Sequence, residues 1–261
     1  MTSGTGAAPA LVPNVVGMST STAIEAIGLR KRYRDVVAVA EVSLTVNTGE
    51  VFGILGANGA GKTTTMELIA GLRTPDQGVI RVLGLDPQRD RATLRQVLGV
   101  QLQQATLHSA LTVAELIGLY RSFYPRPRPA AELMEMVGLS EQKGTRFERL
   151  SGGQQQRLSI ALALAGRPRV VILDELSTGL DPRARRQIWR TVEQLREEGV
   201  TVLLVSHAME EIEQLCDRIA LLDGGRVIAL DTPAAVVARS GAPTLDDAFV
   251  ALTGKELEVS E

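Results

Sequence analysis

Within the stretch GANGAGKTT, the pattern Gly56-x4-Gly61-Lys62-Thr63 has the residue types that cradle the phosphates of a nucleotide. Glycines let backbone N–H groups turn inward around an anion. Lys62 reaches the terminal phosphates, and the Thr63 hydroxyl is placed for a magnesium ion. Asn58, Gly59 and Thr64 belong to the same loop. Read alone, the loop is also a flexible glycine turn. Further along, VVILDE supplies two carboxylates. Asp174 ends an apolar run, where it can hold the metal through water, and Glu175 follows it, able to polarise an attacking water. An acidic pair at a strand end is common by itself; beside a phosphate loop it reads as chemistry.

A second turn of the same kind lies in RLSGGQQQR, Arg149 to Arg157. Ser151 followed by two glycines opens a helix there, and exposed N–H groups with the helix dipole suit a phosphate. One chain therefore carries two phosphate-binding turns, and the question is whose phosphate the second one holds.

The elements around these residues support the chemical reading. EVFGILG is an apolar strand running into the first glycine loop, and KTTTMELIAGL is the helix after it. RVVILDE and VTVLLVSH are continuous apolar runs, as in parallel strands covered on both faces. TAIEAIGLRKRY and VVAVAEVSLTV alternate as antiparallel strands do, and IALLDGGRVIALD reads as a hairpin across Gly224-Gly225. Between Gln104 and Pro168 the pattern turns helical, in LTVAELIGLYRSFY, AAELMEMVGL and QQQRLSIALALA. Asp181-Pro182 marks a capped helix start, Ile188, Val192 and Leu195 its apolar stripe, and Gly199 its end.

The fold expected is α/β: a P-loop core with a parallel sheet, an antiparallel β subdomain and a helical subdomain inserted at about 104–168. The domain is expected over 21–240, between an N-terminal tail (1–20) and a C-terminal tail (241–261). Residues 1–17 are rich in Pro, Gly and Ala without periodicity, and Met18 begins a natural start. The chain has 261 residues, 44% hydrophobic, enough for a sizeable core. A net charge of -2 gives no reason to expect a nucleic-acid partner, since such binders are usually basic, and none is expected. Cys216, the one cysteine, forms no internal disulfide and fits a reducing cytosol; its spacing from Met209 and Ile212 reads as core. No apolar run approaches the roughly 18–20 residues of a membrane span.

With these motifs in this order, the chain resembles the nucleotide-binding subunits of ATP-binding cassette (ABC) transporters over roughly Ala23 to Ala238. The resemblance implies ATP and Mg2+ as ligands. It makes Tyr33 the aromatic that stacks on adenine, and Gln103 the glutamine that touches metal and water, with Gln101 and Gln104 as rival registers. LSGGQ becomes the family signature, with Ser151, Gly153 and Gln154 contacting ATP, and Asp181 of STGLD the loop carboxylate between subunits. His207 becomes the switch histidine on the γ-phosphate. Many family members have proline after the glutamate; here Leu176 stands in its place, leaving that backbone less constrained.

The family also implies an answer to the two-turn question. Two cassettes pair head to tail, and the signature of one covers ATP on the P-loop of the other. The implied partners are a second copy or a paralogous cassette, and a membrane permease at the cytoplasmic face of the cell membrane. The tail TLDDAFVALTGKEL resembles drug-resistance-type exporter cassettes, which work with an ABC-2-type permease on drugs, lipids or glycans. The alternatives are a soluble ABC ATPase, an importer cassette, and a regulatory cassette without turnover. Glu175 and His207 together argue against the last.

Overall fold

The computed structural model describes residues 22–102 and 107–254. The N-terminal tail, the Met18 start and Gln103 therefore lie outside the described residues. The first half contains β1 (Thr22–Tyr33), β2 (Val36–Asn47), β3 (Val51–Leu55), α1 (Lys62–Ile69), β4 (Gln77–Val82), α2 (Arg91–Val97) and β5 (Leu98–Gln101). Three helices follow: α3 (Val113–Arg121), α4 (Ala130–Met136) and α5 (Gly152–Leu164). Then come β6 (Val170–Asp174), α6 (Pro182–Glu197), β7 (Thr201–Val205) and α7 (Met209–Leu215). The last elements are β8 (Arg218–Asp223), β9 (Arg226–Asp231), α8 (Pro233–Ser240) and α9 (Leu245–Thr253).

The strands form one sheet in the order β4-β1-β2-β9-β8-β3-β7-β6-β5. From β8 to β5 the pairing is parallel. Every residue of β3, β6 and β7 is buried, as continuous apolar runs predict. Alternation along these strands divides the core in two. Val51, Leu55, Val171, Leu173, Val202 and Leu204 face α5, α6 and α7, whereas Phe52, Ile54, Val170, Ile172, Leu203 and Val205 face α1 and the antiparallel wing.

That wing is β1 with β2 on one side and β4 on the other, all antiparallel. It joins the parallel strands through one β2–β9 register pair, Glu41 with Arg226, reinforced by a 2.8 Å ion pair between the two. The wing curls over α1, which packs against β1, β2 and β4 on one side and β7 on the other. The N-terminus of α1 is thereby fixed at the C-terminal ends of the parallel strands, where α/β sheets hold ligands.

The helices α3, α4 and α5 pack on one another and share the core of α6 and α7. Gly99 lets this layer approach the sheet: a Cβ there would lie 2.2 Å from the Ala163 carbonyl on α5. The α6 stripe is as read, with Ile188, Val192 and Leu195 all buried, and Gly199 follows the helix at φ +76°. Within 241–261, residues Leu245–Thr253 form α9, which buries Leu245, Ala248 and Phe249 and packs on α7 and α8. Cys216 is buried, and burial drives its thiol pKa well up.

Candidate active site

β3 ends at Leu55, the chain turns through Gly56–Gly61, and α1 begins at Lys62. Gly61 has φ +98°, and a Cβ would lie 2.4 Å from the Ala38 carbonyl of β2. Glycine is required there by both the backbone conformation and the space. Lys62 is mostly buried, and its ammonium donates to the carbonyls of Gly56 (2.8 Å) and Ala57 (3.1 Å). Burial lowers its pKa; the charges of Glu175 and Asp174 oppose that shift.

The facing wall is the end of β6. Asp174 is almost fully enclosed, and its N–H donates to Gln101 Oε1 on β5 at 3.0 Å. Its carboxyl is pushed up to about 6, first by burial and then by the neighbouring Glu175 charge, with Lys62 pulling the other way. A buried carboxylate this short of compensating charge suits a cation. Thr63 lines the same cleft with a hydroxyl oxygen. Among the described residues no cluster of three or more His, Cys, Asp or Glu forms a dedicated metal cage. Two hard oxygen donors beside a phosphate loop fit a small divalent ion held partly by the phosphates.

Glu175 stands at φ +52°, in the left-handed region that non-glycine residues seldom occupy. Its N–H donates to the Val205 carbonyl at 2.8 Å, and its own carbonyl accepts from Gln156 Nε2 of α5 at 3.0 Å. These bonds hold the bend that turns its side chain into the cleft rather than along the strand. Leu176, in place of the family proline, is fully buried in the helical-side core. Beyond β7, His207 brings Nδ1 within 3.6 Å of Glu175 Oε1.

A cleft of about 520 Å³ results, lined by Asn58, Gly59, Gly61, Lys62, Thr63, Thr64, Asp174, Glu175 and His207. Val36, Val37, Ala38 and Thr178 complete its wall. The volume lies within the roughly 300–1,000 Å³ usual for small-molecule sites. Tyr33 ends β1 outside this lining, exposed, with Lys31 Nζ and Arg73 Cζ 5.6 and 5.8 Å from its ring centroid.

Ser151, Gly153, Gln154 and Asp181 do not line the cleft of their own chain. They form a second place on the molecule. Ser151 caps α5 in a reciprocal box: its hydroxyl accepts from Gln154 N–H, and Gln154 Oε1 accepts from Ser151 N–H. Gly153 approaches Leu180 and the Gly179 carbonyl, which puts the signature turn beside the loop leading to Asp181. Asp181 caps α6, accepting from the N–H groups of Arg183 and Ala184, each at 2.9 Å. Those bonds hold its carboxyl below the usual range.

Sequence reasoning missed Gln101 as the brace of Asp174, Gln156 as the brace of Glu175, and the Val36–Ala38 edge of the cleft. Gln101 carried a signal as one of three glutamines near the expected position. The others carried none, since each works through an element distant in sequence.

The fold and cleft together define a P-loop ATPase with an antiparallel wing and a helical layer, the architecture of an ATP-binding cassette. The family model described as "ABC transporter" matches residues 39–178. The chain is 38% identical over 227 residues to the linearmycin resistance ATP-binding protein LnrL of Bacillus subtilis (strain 168), covering 85% of this chain and 73% of that protein. It is 42% identical over 215 residues to the daunorubicin/doxorubicin resistance ATP-binding protein DrrA of Streptomyces peucetius, covering 80% of this chain and 65% of that one. Among solved structures, an ATP-binding subunit of an ABC transporter superposes with TM-score 0.81 at 28% identity, over 88% of this chain and 99% of the other. The ATP-binding cassette MJ0796, in a dimeric post-hydrolysis state with ADP and Pi, superposes with TM-score 0.74 at 27% identity, over 80% and 98%. The chain belongs to the ABC transporter family, as an ATP-hydrolysing cassette similar to those of drug-resistance-type exporters. Among the described residues, no helix is long and apolar enough to cross a membrane.

Proposed function

We propose that the chain drives export through a separate ABC-2-type permease, docked at the cytoplasmic face of the membrane, by binding and hydrolysing Mg-ATP between two cassettes. The observation that carries this reading is the meeting of Lys62, Asp174, Glu175 and His207 in one cleft, with the Ser151 turn placed elsewhere. The two named relatives serve linearmycin resistance and daunorubicin/doxorubicin resistance, and a further relative, 38% identical over 236 residues, is a Nod factor export ATP-binding protein of Rhizobium johnstonii. They support a cargo of the drug, lipid or glycan class. The working domain is 21–240, with its helical subdomain at about 104–168.

In this reading the loop Gly56 to Thr64 holds the phosphates, and Lys62 leaves the Gly56 and Ala57 carbonyls to meet the terminal ones. Tyr33 stacks on the base. Thr63, Asp174 and Gln103 hold Mg2+, which neutralises phosphate charge when bound. Glu175 accepts a hydrogen bond from the attacking water and orients it, and His207 contacts the γ-phosphate. Ser151, Gly153, Gln154 and Asp181 act on the ATP of the partner cassette. The Ser151–Gln154 capping box opens to do so, freeing a hydroxyl and an amide for the phosphate. Dimeric cassettes among the structural neighbours support this arrangement.

Glu175→Gln tests the assignment of the cleft. The amide keeps the shape and loses the charge that orients water. ATP binding is expected to persist while hydrolysis falls by about 10² to 10⁴, the usual worth of a general base. Turnover within a few-fold of the unmodified chain removes Glu175 from that role.

A further inference from the structure

Ala38 of β2 lies against Gly61 of the phosphate loop. Two residues back along β2, about 6–7 Å away at the rise of a strand, Val36 still lines the cleft and is exposed. Val36 is the register partner of Tyr33, across the turn at Arg34 and Asp35. Opposed residues of an antiparallel pair share one face of the sheet. The wall of the cleft therefore continues from the phosphate loop, along an apolar edge, to the Tyr33 ring. A nucleotide has the same layout, with phosphates at one end and a planar base at the other.

Two cations stand over that ring, each within the roughly 6 Å of a cation–π contact. Lys31 Nζ is 5.6 Å from the centroid and Arg73 Cζ is 5.8 Å from it. Each cation is held by an acid. Lys31 pairs at 2.8 Å with Asp76, whose other oxygen accepts from Arg32 N–H at 2.7 Å. Arg73 Nε donates to Glu67 Oε2 at 3.1 Å. Glu67 belongs to α1, the helix that begins at Lys62. The Arg73 backbone is fixed as well: its N–H donates to the Glu67 carbonyl at 3.2 Å, and its carbonyl accepts from Gln88 Nε2 at 2.7 Å. Tyr33 nevertheless keeps 37% of its surface exposed, which leaves room for a base.

We infer that Arg73 is a positioning residue for the nucleotide base: pinned to α1 by Glu67, it sets the Tyr33 ring for stacking. The helix that holds the phosphates at its N-terminus thereby also sets the platform for the base, so the two ends of the nucleotide site keep a fixed spacing. Lys31, tied to Asp76, steadies the same ring from β1. Arg73 acts through the ring and does not itself have to touch the nucleotide. This inference rests on the reading that Tyr33 stacks on the base.

The experiment compares Tyr33→Ala, Arg73→Ala, Arg73→Lys and the double variant Tyr33→Ala/Arg73→Ala with the unmodified chain, measuring Kd for Mg-ATP, kcat, KM for ATP and melting temperature. Tyr33→Ala is expected to weaken ATP binding by about fivefold or more, as loss of one base stack does. Arg73→Ala is expected to raise Kd and KM by about two- to fivefold, the weight of an exposed cation–π contact, with kcat and melting temperature unchanged. Arg73→Lys keeps a cation for both Glu67 and the ring, and is expected to bind ATP as the unmodified chain does. In the Tyr33→Ala background, Arg73→Ala is expected to add no further loss, because its effect runs through the ring.

Unchanged ATP affinity in Arg73→Ala beside a weakened Tyr33→Ala overturns the inference alone. The same loss from Arg73→Ala with and without Tyr33 also overturns it, since Arg73 would then act independently of the ring. A parallel fall in affinity, kcat and melting temperature without rescue by lysine makes Arg73 a scaffold residue and contradicts the inference. Unchanged affinity in Tyr33→Ala overturns the reading beneath it instead.

Discussion

His207 Nδ1 and Glu175 Oε1 stand 3.6 Å apart at the mouth of the cleft, on the ends of β7 and β6, which are paired strands. The gap is too long for a strong hydrogen bond. Thr178 Oγ1 reaches the other carboxylate oxygen, Glu175 Oε2, at 3.5 Å. His207→Ala is expected to lower kcat by about 10 to 10², less than Glu175→Gln, because a contact to phosphate is lost while the water-orienting group stays. Steady-state ATPase kinetics check the order, and a larger loss at His207 than at Glu175 reverses the roles.

Asp174 makes a stability prediction. Its carboxyl sits at about 6 against an ordinary 3.8. A raised carboxyl means that folding favours the protonated form. The cost to the nucleotide-free fold therefore grows as pH rises from 3.8 through about 6 and is complete above that. Asp174→Asn removes the charge, so the nucleotide-free protein is expected to melt higher at neutral pH, with the gain shrinking toward about pH 5. On the proposed reading the same change is expected to weaken Mg-ATP binding. Calorimetry across pH reads the first effect, and a pH-independent melting difference contradicts it.

Arg128 clamps the helical layer to the core. Its side chain is almost fully buried and donates to Glu132 of α4 and to Glu198 just past α6, each at 2.6 Å, while its N–H meets the Ala165 carbonyl at 2.8 Å. Breaking a buried pair costs about 3–5 kcal/mol. Both acids are a third exposed, so Arg128→Ala is expected to cost about 2 kcal/mol, or roughly 4–8 °C in melting temperature. Glu198→Gln, which leaves Glu132, is expected to cost less. Equal losses would show that the clamp runs through Glu198 alone.

The motifs that carry chemistry were legible because each is local. The strand before Gly56, the helix after Lys62 and the apolar runs of β6 and β7 are continuous in sequence, and Asp181 caps the helix it begins. What was not legible is held by long-range pairing. β5 is four residues long, and its Gln101 acquires meaning only where β5 meets β6. Gln156 braces Glu175 across 19 residues, and Glu211 meets Trp189 across 22. Nothing in the pattern of Val36 to Ala38 distinguishes a cleft wall from an ordinary strand, because the curl of the sheet alone brings it over the phosphate loop.

The central claim is that the Ser151 turn serves the ATP of another copy of the chain. The most direct measurement is a cross-link. In a Cys216→Ser, Glu175→Gln background, Asn58→Cys is placed on one chain and Ser151→Cys on another. A disulfide needs Cα atoms within about 7 Å, so it reports the closed pair and little else. The account predicts disulfide-linked dimers that form with Mg-ATP and not without it. A disulfide that forms only within a single chain carrying both cysteines would contradict it, because both turns would then hold one phosphate.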